Sequence, residues 1–383
     1  MITRLVVETG RSRVQVPPGP PPTSRGCLSL RLWVDVVNSP HVRLFERFLS
    51  LFSSDLEEVL VTTRRYGSLP DLVQRLISPI LGQRSKILVV GEREADRVGK
   101  LKSHLSRVSA LADLVSEFEP DAAVSKASPE LARVAFGLGV PSVIANDNDE
   151  SVFVCRLSFP QADSIVVPES FPDRVILDSG GSLRATRKFR GVFEVAHVLQ
   201  HFERGPFEPV RPEDLGVEPG GYVVFRPEPF GASYLVAGAS SPQYLREISR
   251  RYDVVVIPRG PEDESLWRRE GGKVVSPPVD FMDLASRAAA VVGAGGTMTR
   301  EAALLGVPAA SAFPGREPCV SLELERRGLI YRLNDPADVH DFLDLASDRA
   351  AWERRARDYL HSAEDPAKVL WEEVNRVVER RRA

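Results

Sequence analysis

The stretch GAGGTMTREAALLGVP, Gly293 to Pro308, decides how this chain is read. The apolar run before it has strand character, and the periodicity after it predicts a helix beginning at Thr297. Glycines at Gly295 and Gly296 let a backbone approach an anion closely. The free N–H groups and the dipole of a helix start then favour a phosphate. Thr297 is expected to cap that helix. Arg300 and Glu301 follow one turn in, where Glu301 could accept from ribose hydroxyls. The spacing is not the dinucleotide fingerprint, because Met298 stands where the last glycine belongs. Nor is it a P-loop, because no Gly-Lys-Ser/Thr follows. On spacing alone, a phosphate cradle and a plain strand-to-helix turn are evenly matched.

Outward from this loop, strand-like and helical segments alternate. LRLWVDVV, EVLVTT, KILVVG, AAVSKA, PSVIAN and ADSIVVPE read as strands, with helical periodicity between them. A Pro-, Gly- and charge-rich stretch at 203–220 reads as a linker. The alternation then resumes with YVVFRPE, DVVVIPRG, GKVV, AAVVGAG and VPAASAF. This predicts two α/β domains with parallel sheets, at 29–202 and 221–365, and a final amphipathic helix at 366–383. In such sheets ligands bind beyond the carboxyl ends of the strands, so the cleft between the domains is the expected site.

Further candidates sit at other strand ends. In VDVVNSPHVRLF a strand is expected to end at Val37 and a helix to begin near His41, with Ser39 and Pro40 suited to the helix start and Asn38 and Ser39 as possible cleft residues. His41 would then face the cleft as a candidate general base, or bond only locally. Lys126 is similarly placed, just after a strand expected at Ala122–Ser125. In IANDNDES, Asp147 and Asp149 have the look of an Asp-x-Asp metal motif, but an Asx turn capping the next helix is favoured; Asn146 and Asp147 could still face the cleft. Arg226 and Arg259 end strands of the second half and suit a diphosphate, or a surface ion pair. His197 and His201, one turn apart in GVFEVAHVLQHF, have no third metal ligand nearby and are read as a solvated helix face.

Composition sets limits. A net charge of -3 over 383 residues does not favour nucleic acid. No apolar run is long enough to span a bilayer. Cys27, Cys155 and Cys319 form no paired spacing, so the expected setting is a reducing cytoplasm. Arg greatly outnumbers Lys, which suggests a GC-rich genome. Residues 10–24, GRSRVQVPPGPPPTS, are polar and Pro-rich without periodicity, and 1–28 is expected to be a disordered tail or an extension that is not part of the protein. Arg13 to Pro18 can be encoded CGG GTT CAA GTC CCG CCG, the stem and loop of a tRNA T-arm, and Gly19 to Pro21 as GGC CCA CCA, an acceptor end. The expectation is that these codons belong to an upstream tRNA gene and that translation begins near Leu28 or Leu30.

Four motifs in order, WVDVVNSPHVRLFERFL, SKASPELARVAFGLGVPSVIANDND, FRPEPFGASYL and VVGAGGTMTREAALLGVPA, resemble a mainly archaeal family of unknown function within the GT-B superfamily. Its relatives include the non-hydrolysing UDP-N-acetylglucosamine 2-epimerases and the N-acetylglucosaminyltransferase that completes lipid II. The resemblance implies two Rossmann-like domains facing a cleft, a nucleotide-sugar substrate, and neither cofactor nor obligatory metal. It implies that Gly295, Gly296 and Thr297 hold the diphosphate, that Glu301 holds the ribose, and that His41 matches the cleft histidine of the transferases. NSPHV departs from the transferase pattern in lacking glycines before the histidine, and the epimerase carboxylates have no clear match. The expected activity is glycosyl transfer from a UDP-sugar to a sugar or lipid acceptor. The rival expectations are 2-epimerisation and nucleotide-sugar binding without catalysis.

Overall fold

The computed structural model describes residues 30–94, 96–228, 241–275 and 279–383. The N-terminal segment 1–28 and the end of the FRPEPFGASYL motif lie outside the described residues. A first sheet holds β1 (Leu30–Val36), β2 (Leu56–Arg65), β3 (Ser85–Glu92), β4 (Ala122–Lys126), β5 (Ser142–Ala145), β6 (Ser164–Pro168) and β7 (Thr186–Phe189). Its order is β3-β2-β1-β4-β5-β6-β7. A second sheet holds β8 (Tyr222–Arg226), β9 (Asp253–Val256), β10 (Lys273–Val274), β11 (Ala290–Gly293), β12 (Ala309–Ser311) and β13 (Tyr331–Arg332), ordered β10-β9-β8-β11-β12-β13. Every pairing in both is parallel. Helices cover both faces of such sheets, which is why β1, β4, β5 and β6 are buried almost end to end and mostly apolar rather than alternating.

Two strands were not expected. β7, TRKF, carries three half-buried polar residues on an edge strand. β13 is only two residues long. Neither offers the apolar run by which a strand is read.

Each sheet reverses its winding direction once among these strands. In the first, chain order turns back between β1 and β4; in the second, between β8 and β11. Crevices open at such reversals because the flanking crossovers run to opposite faces. The residues that follow β1, β4, β8 and β11 therefore set the site.

The last helix, Pro366–Arg382, does not continue the second domain. It returns to the first sheet, where Trp371 stacks on Phe52 with centroids 4.8 Å apart and Ser164 Oγ donates to Glu373 Oε2 at 2.5 Å. The crossing back is pinned: the Glu364 amide donates to the Arg190 carbonyl, the Glu364 carboxylate accepts from the Arg190 amide, and Asp365 accepts from Arg47 Nε at 2.8 Å. The stretch 205–221 is also tied down, with the Phe207 and Val210 amides donating to Asp280 and Asp283 of the second domain.

Beneath the first crevice lies a buried polar cluster. Arg107 grips the Asp35 carboxylate with two donors, at 2.6 and 3.1 Å. Thr62 and Ser128 donate to the same carboxylate at 2.6 and 2.5 Å, and Trp33 Nε1 donates to Thr62 Oγ1. The cluster cross-links β1, β2 and the turn after β4. It fixes the strand ends from which Asn38, Arg64 and Lys126 emerge.

Candidate active site

A single cleft of about 640 Å³ between the domains gathers the candidate residues. From the first domain come Asn38, Ser39 and His41 after β1, Lys126 at the end of β4, and Asn146 and Asp147 after β5. From the second come Arg226 at the end of β8, Arg259 after β9, and Gly295, Gly296, Thr297, Arg300 and Glu301 after β11.

The loop after β11 is built for close approach, not for unusual backbone. Gly295 is extended at φ -160, a conformation open to any residue. What it lacks is space: a Cβ there would collide with the Arg259 guanidinium, and one on Gly296 with that of Arg300. Arg300 cannot step aside, because it donates to Glu194 Oε1 at 2.8 Å and to Ser321 Oγ at 3.1 Å. The helix begins at Gly296, one residue before the expected start, and Gly295 caps it. Thr297 is therefore inside the first turn and is not the cap. It faces the cleft. The helix stops at Gly306, whose φ of 78 suits glycine and whose missing Cβ makes room for Glu353.

On the facing wall a second helix, Ser39–Phe52, begins at Ser39, two residues before His41. Pro40 fits its first turn, where no N–H is needed. His41 is buried on the cleft wall, and its Nδ1 has no hydrogen-bond partner among the described residues. Burial, reinforced by Lys126, holds its pKa well below the usual imidazole range. The ring is accordingly neutral near pH 7.

Arg226 and Arg259 brace the second domain's wall of the cleft through backbone carbonyls. Arg226 donates to the Ile257 and Pro258 carbonyls; Arg259 donates to the Pro227 carbonyl at 2.9 Å and the Ala294 carbonyl at 3.3 Å. Burial, with Arg259 alongside, pushes the Arg226 guanidinium down to about 9. That pressure would be relieved by an anion.

Lys126 donates to Asp147 Oδ2 at 2.9 Å and lies over the Phe193 ring. The IANDNDES loop is an Asx turn, but the bonds are made by Asn146 and Asn148, not by the aspartates. Ser151, with no side-chain bond, is the cap of the next helix. Asp149 instead reaches into the second domain and accepts from the Cys319 amide at 2.8 Å.

The His197/His201 helix corrects a further expectation. His197 is fully buried, not solvated, and its Nδ1 meets Glu301 Oε1 at 2.8 Å. One turn earlier, Glu194 holds Arg300. Glu194–Arg204 therefore packs on Gly296–Leu304 through two polar contacts that join the domains. The signal in the sequence was an acid and a histidine embedded in an apolar run, VFEVAHV, at positions that share the apolar face of the helix. Glu194 was missed altogether.

Burial works against ionising Glu194, but Arg300 and Lys126 outweigh it and hold the carboxyl down to about 2. A depressed carboxylate stabilises the fold above its unfolded pKa, and this contribution is lost as pH falls towards the folded value. Acid unfolding should therefore carry a Glu194 component between the ordinary 4.5 and about 2. Urea midpoints measured across that window should fall less steeply for Glu194→Gln than for the natural chain. Parallel slopes would remove Glu194 from this role.

Two crevice-forming parallel sheets with their ligand loops face to face are the architecture of the GT-B fold, and the chain is a GT-B-like α/β protein. It matches residues 30–379 to the family described as "Protein of unknown function (DUF354)", and it belongs to that family. "Uncharacterized protein MJ0665" of Methanocaldococcus jannaschii is 29% identical over 91% of this chain and 98% of its own length. Among solved structures, UDP-N-acetylglucosamine 2-epimerase from Rickettsia bellii superposes with a TM-score of 0.67 at 14% identity, covering 92% of this chain and 97% of that one. A UDP-glucosyltransferase from Polygonum tinctorium superposes with a TM-score of 0.60 at 12% identity, covering 92% and 99%. Among the described residues, no helix is long and apolar enough to cross a membrane.

Proposed function

We propose that the cleft binds a nucleoside-diphosphate sugar, UDP-linked, and transfers its sugar to an acceptor hydroxyl. The observation that carries this reading is the pairing of an anion-suited wall with a neutral buried histidine across one cleft. The first-turn amides at Gly296 and Thr297, together with Arg226 and Arg259, would take the diphosphate. His41 would accept the proton of the acceptor hydroxyl. The acceptor oxygen bonds to the anomeric carbon, the carbon–oxygen bond to the phosphate breaks, and the diphosphate leaves with the electron pair. The helix start and the arginines stabilise the charge that grows there. Diphosphate negative charge close to His41 would also raise its proton affinity from the value that burial imposes. That both solved neighbours are named for UDP-sugars supports a UDP-linked donor.

His41→Ala is expected to lower turnover by about 10² to 10⁴-fold. UDP affinity, read by isothermal titration, should stay within about twofold, since the variant leaves the diphosphate wall intact. Full turnover in His41→Ala would exclude the histidine as base.

Epimerisation is the second reading, and one observation favours it. The cleft is lined by four carboxylates, Asp147, Asp280, Glu301 and Glu317, more than transfer through one base requires. Isomerisation of the sugar needs removal and return of a carbon-bound proton. Incubating UDP-N-acetylglucosamine alone in D2O separates the two readings. Deuterium in the recovered sugar selects epimerisation; UDP release that depends on added acceptor selects transfer.

A further inference from the structure

Arginines on the wall opposite the donor loop remain unexplained by a diphosphate at Gly296. Arg64 is the penultimate residue of β2 and Arg93 follows β3, close enough for each charge to feel the other on the first domain. Among the described residues neither guanidinium ion-pairs with a carboxylate. Arg64 donates to the Val37 carbonyl at 3.0 Å and to Asn38 Oδ1 at 3.3 Å. Arg93 lies over the Tyr66 ring, 4.3 Å from its centroid. Tyr66 and Arg93 both line the cleft, and Tyr66 is 41% exposed. Beside them the helix Leu69–Leu76 turns Leu72 and Leu76 to the same cleft.

We infer that this wall is an acceptor subsite for a molecule that joins an anionic group, phosphate or carboxylate, to an apolar body. The inference rests on the donor reading above only in calling the subsite the acceptor's. Its physical basis is separate. A half-buried cation without a counter-charge is costly, and the cost is removed when an anion arrives. Burial lowers the Arg64 guanidinium from its ordinary value, and Arg107 and Arg93 add to that pressure. Glu130 and Asp35 act the other way, but both carboxylates are already engaged, by His104 and by Arg107. Arg93, held over an aromatic ring, makes no side-chain hydrogen bond among the described residues, so its donors are available to an oxyanion. Leu72 and Leu76 then offer an apolar strip a few residues long beside the charge. A neutral sugar acceptor would use neither feature.

The experiment is titration of octyl phosphate, octanoate and octyl glucoside, below their micellar concentrations, into the full chain with and without saturating UDP. Binding of at least one of the two anionic probes, about tenfold or more tighter than octyl glucoside, is the expected result. Arg93→Gln should weaken that anionic probe about tenfold while leaving UDP affinity within about twofold. Arg93 is exposed, so this variant keeps the core intact. Arg64→Lys, which keeps the charge but not the fork, should also weaken the anionic probe, and unchanged affinity there would remove Arg64 from the subsite. Octyl glucoside binding as tightly as the anionic probes, or anionic binding indifferent to Arg93→Gln, overturns the inference. Failure of UDP to bind, with an Arg93-dependent response to octyl phosphate intact, would instead overturn the donor reading and leave the anion subsite standing.

Discussion

Gly296→Asp is expected to weaken UDP binding by about a hundredfold or more, roughly 2.7 kcal/mol. Two causes act together. A Cβ at this position meets the Arg300 guanidinium, which Glu194 and Ser321 hold in place. The added carboxylate would also sit at the helix start where the diphosphate is proposed to bind, and like charges at such range repel strongly in a partly dry cleft. Gly296→Ala separates the two, since it brings the collision without the charge, and should fall between the natural chain and Gly296→Asp. Isothermal titration with UDP reads both. Unchanged affinity in both variants would remove the diphosphate from this loop.

Arg300→Met should cost the fold about 3–5 kcal/mol. The variant leaves Glu194 fully buried with its countercharge removed, next to Asp147 at the domain junction. Breaking one half of a buried pair is the expensive operation; replacing both halves is not. The double variant Glu194→Leu with Arg300→Met should therefore recover much of the loss. Urea midpoints of the two single variants and the double variant form the cycle that measures it. If Arg300→Met unfolds at the same urea concentration as the natural chain, the pair is not stabilising the junction.

Much of the fold was legible because parallel strands buried on both faces announce themselves as apolar runs. YVVF, DVVV and AVVG could hardly be anything else. TRKF in β7 could not be read this way, since an edge strand needs no apolar run. The cleft residues were legible for a different reason: strand ends at a winding reversal are where ligands go, and Asn38, Lys126, Arg226 and Gly295 stand at four of them. Partnerships were not legible. Whether Glu301 faces a ligand or a neighbour depends on a helix more than a hundred residues earlier, and the structure gives it His197. Likewise nothing in SPHV states that burial, with Lys126 from the end of another strand alongside, keeps His41 neutral. The two aspartates of NDND were indistinguishable by sequence. In the folded chain one holds Lys126 within the first domain and the other spans to Cys319 in the second.

The return of Pro366–Arg382 to the first sheet also bears on how the molecule is made. The domain that begins the chain is finished by its last residues, while the second domain is contained within it. A ribosome emits the whole of the inner domain before the outer one has all its parts. The inner domain can therefore complete its folding first, and β5 and β6 must wait with one face uncovered until Trp371, Glu373 and their neighbours emerge. Birth order and completion order run opposite along this chain, and the interval between them is when its first sheet is most open to wrong partners.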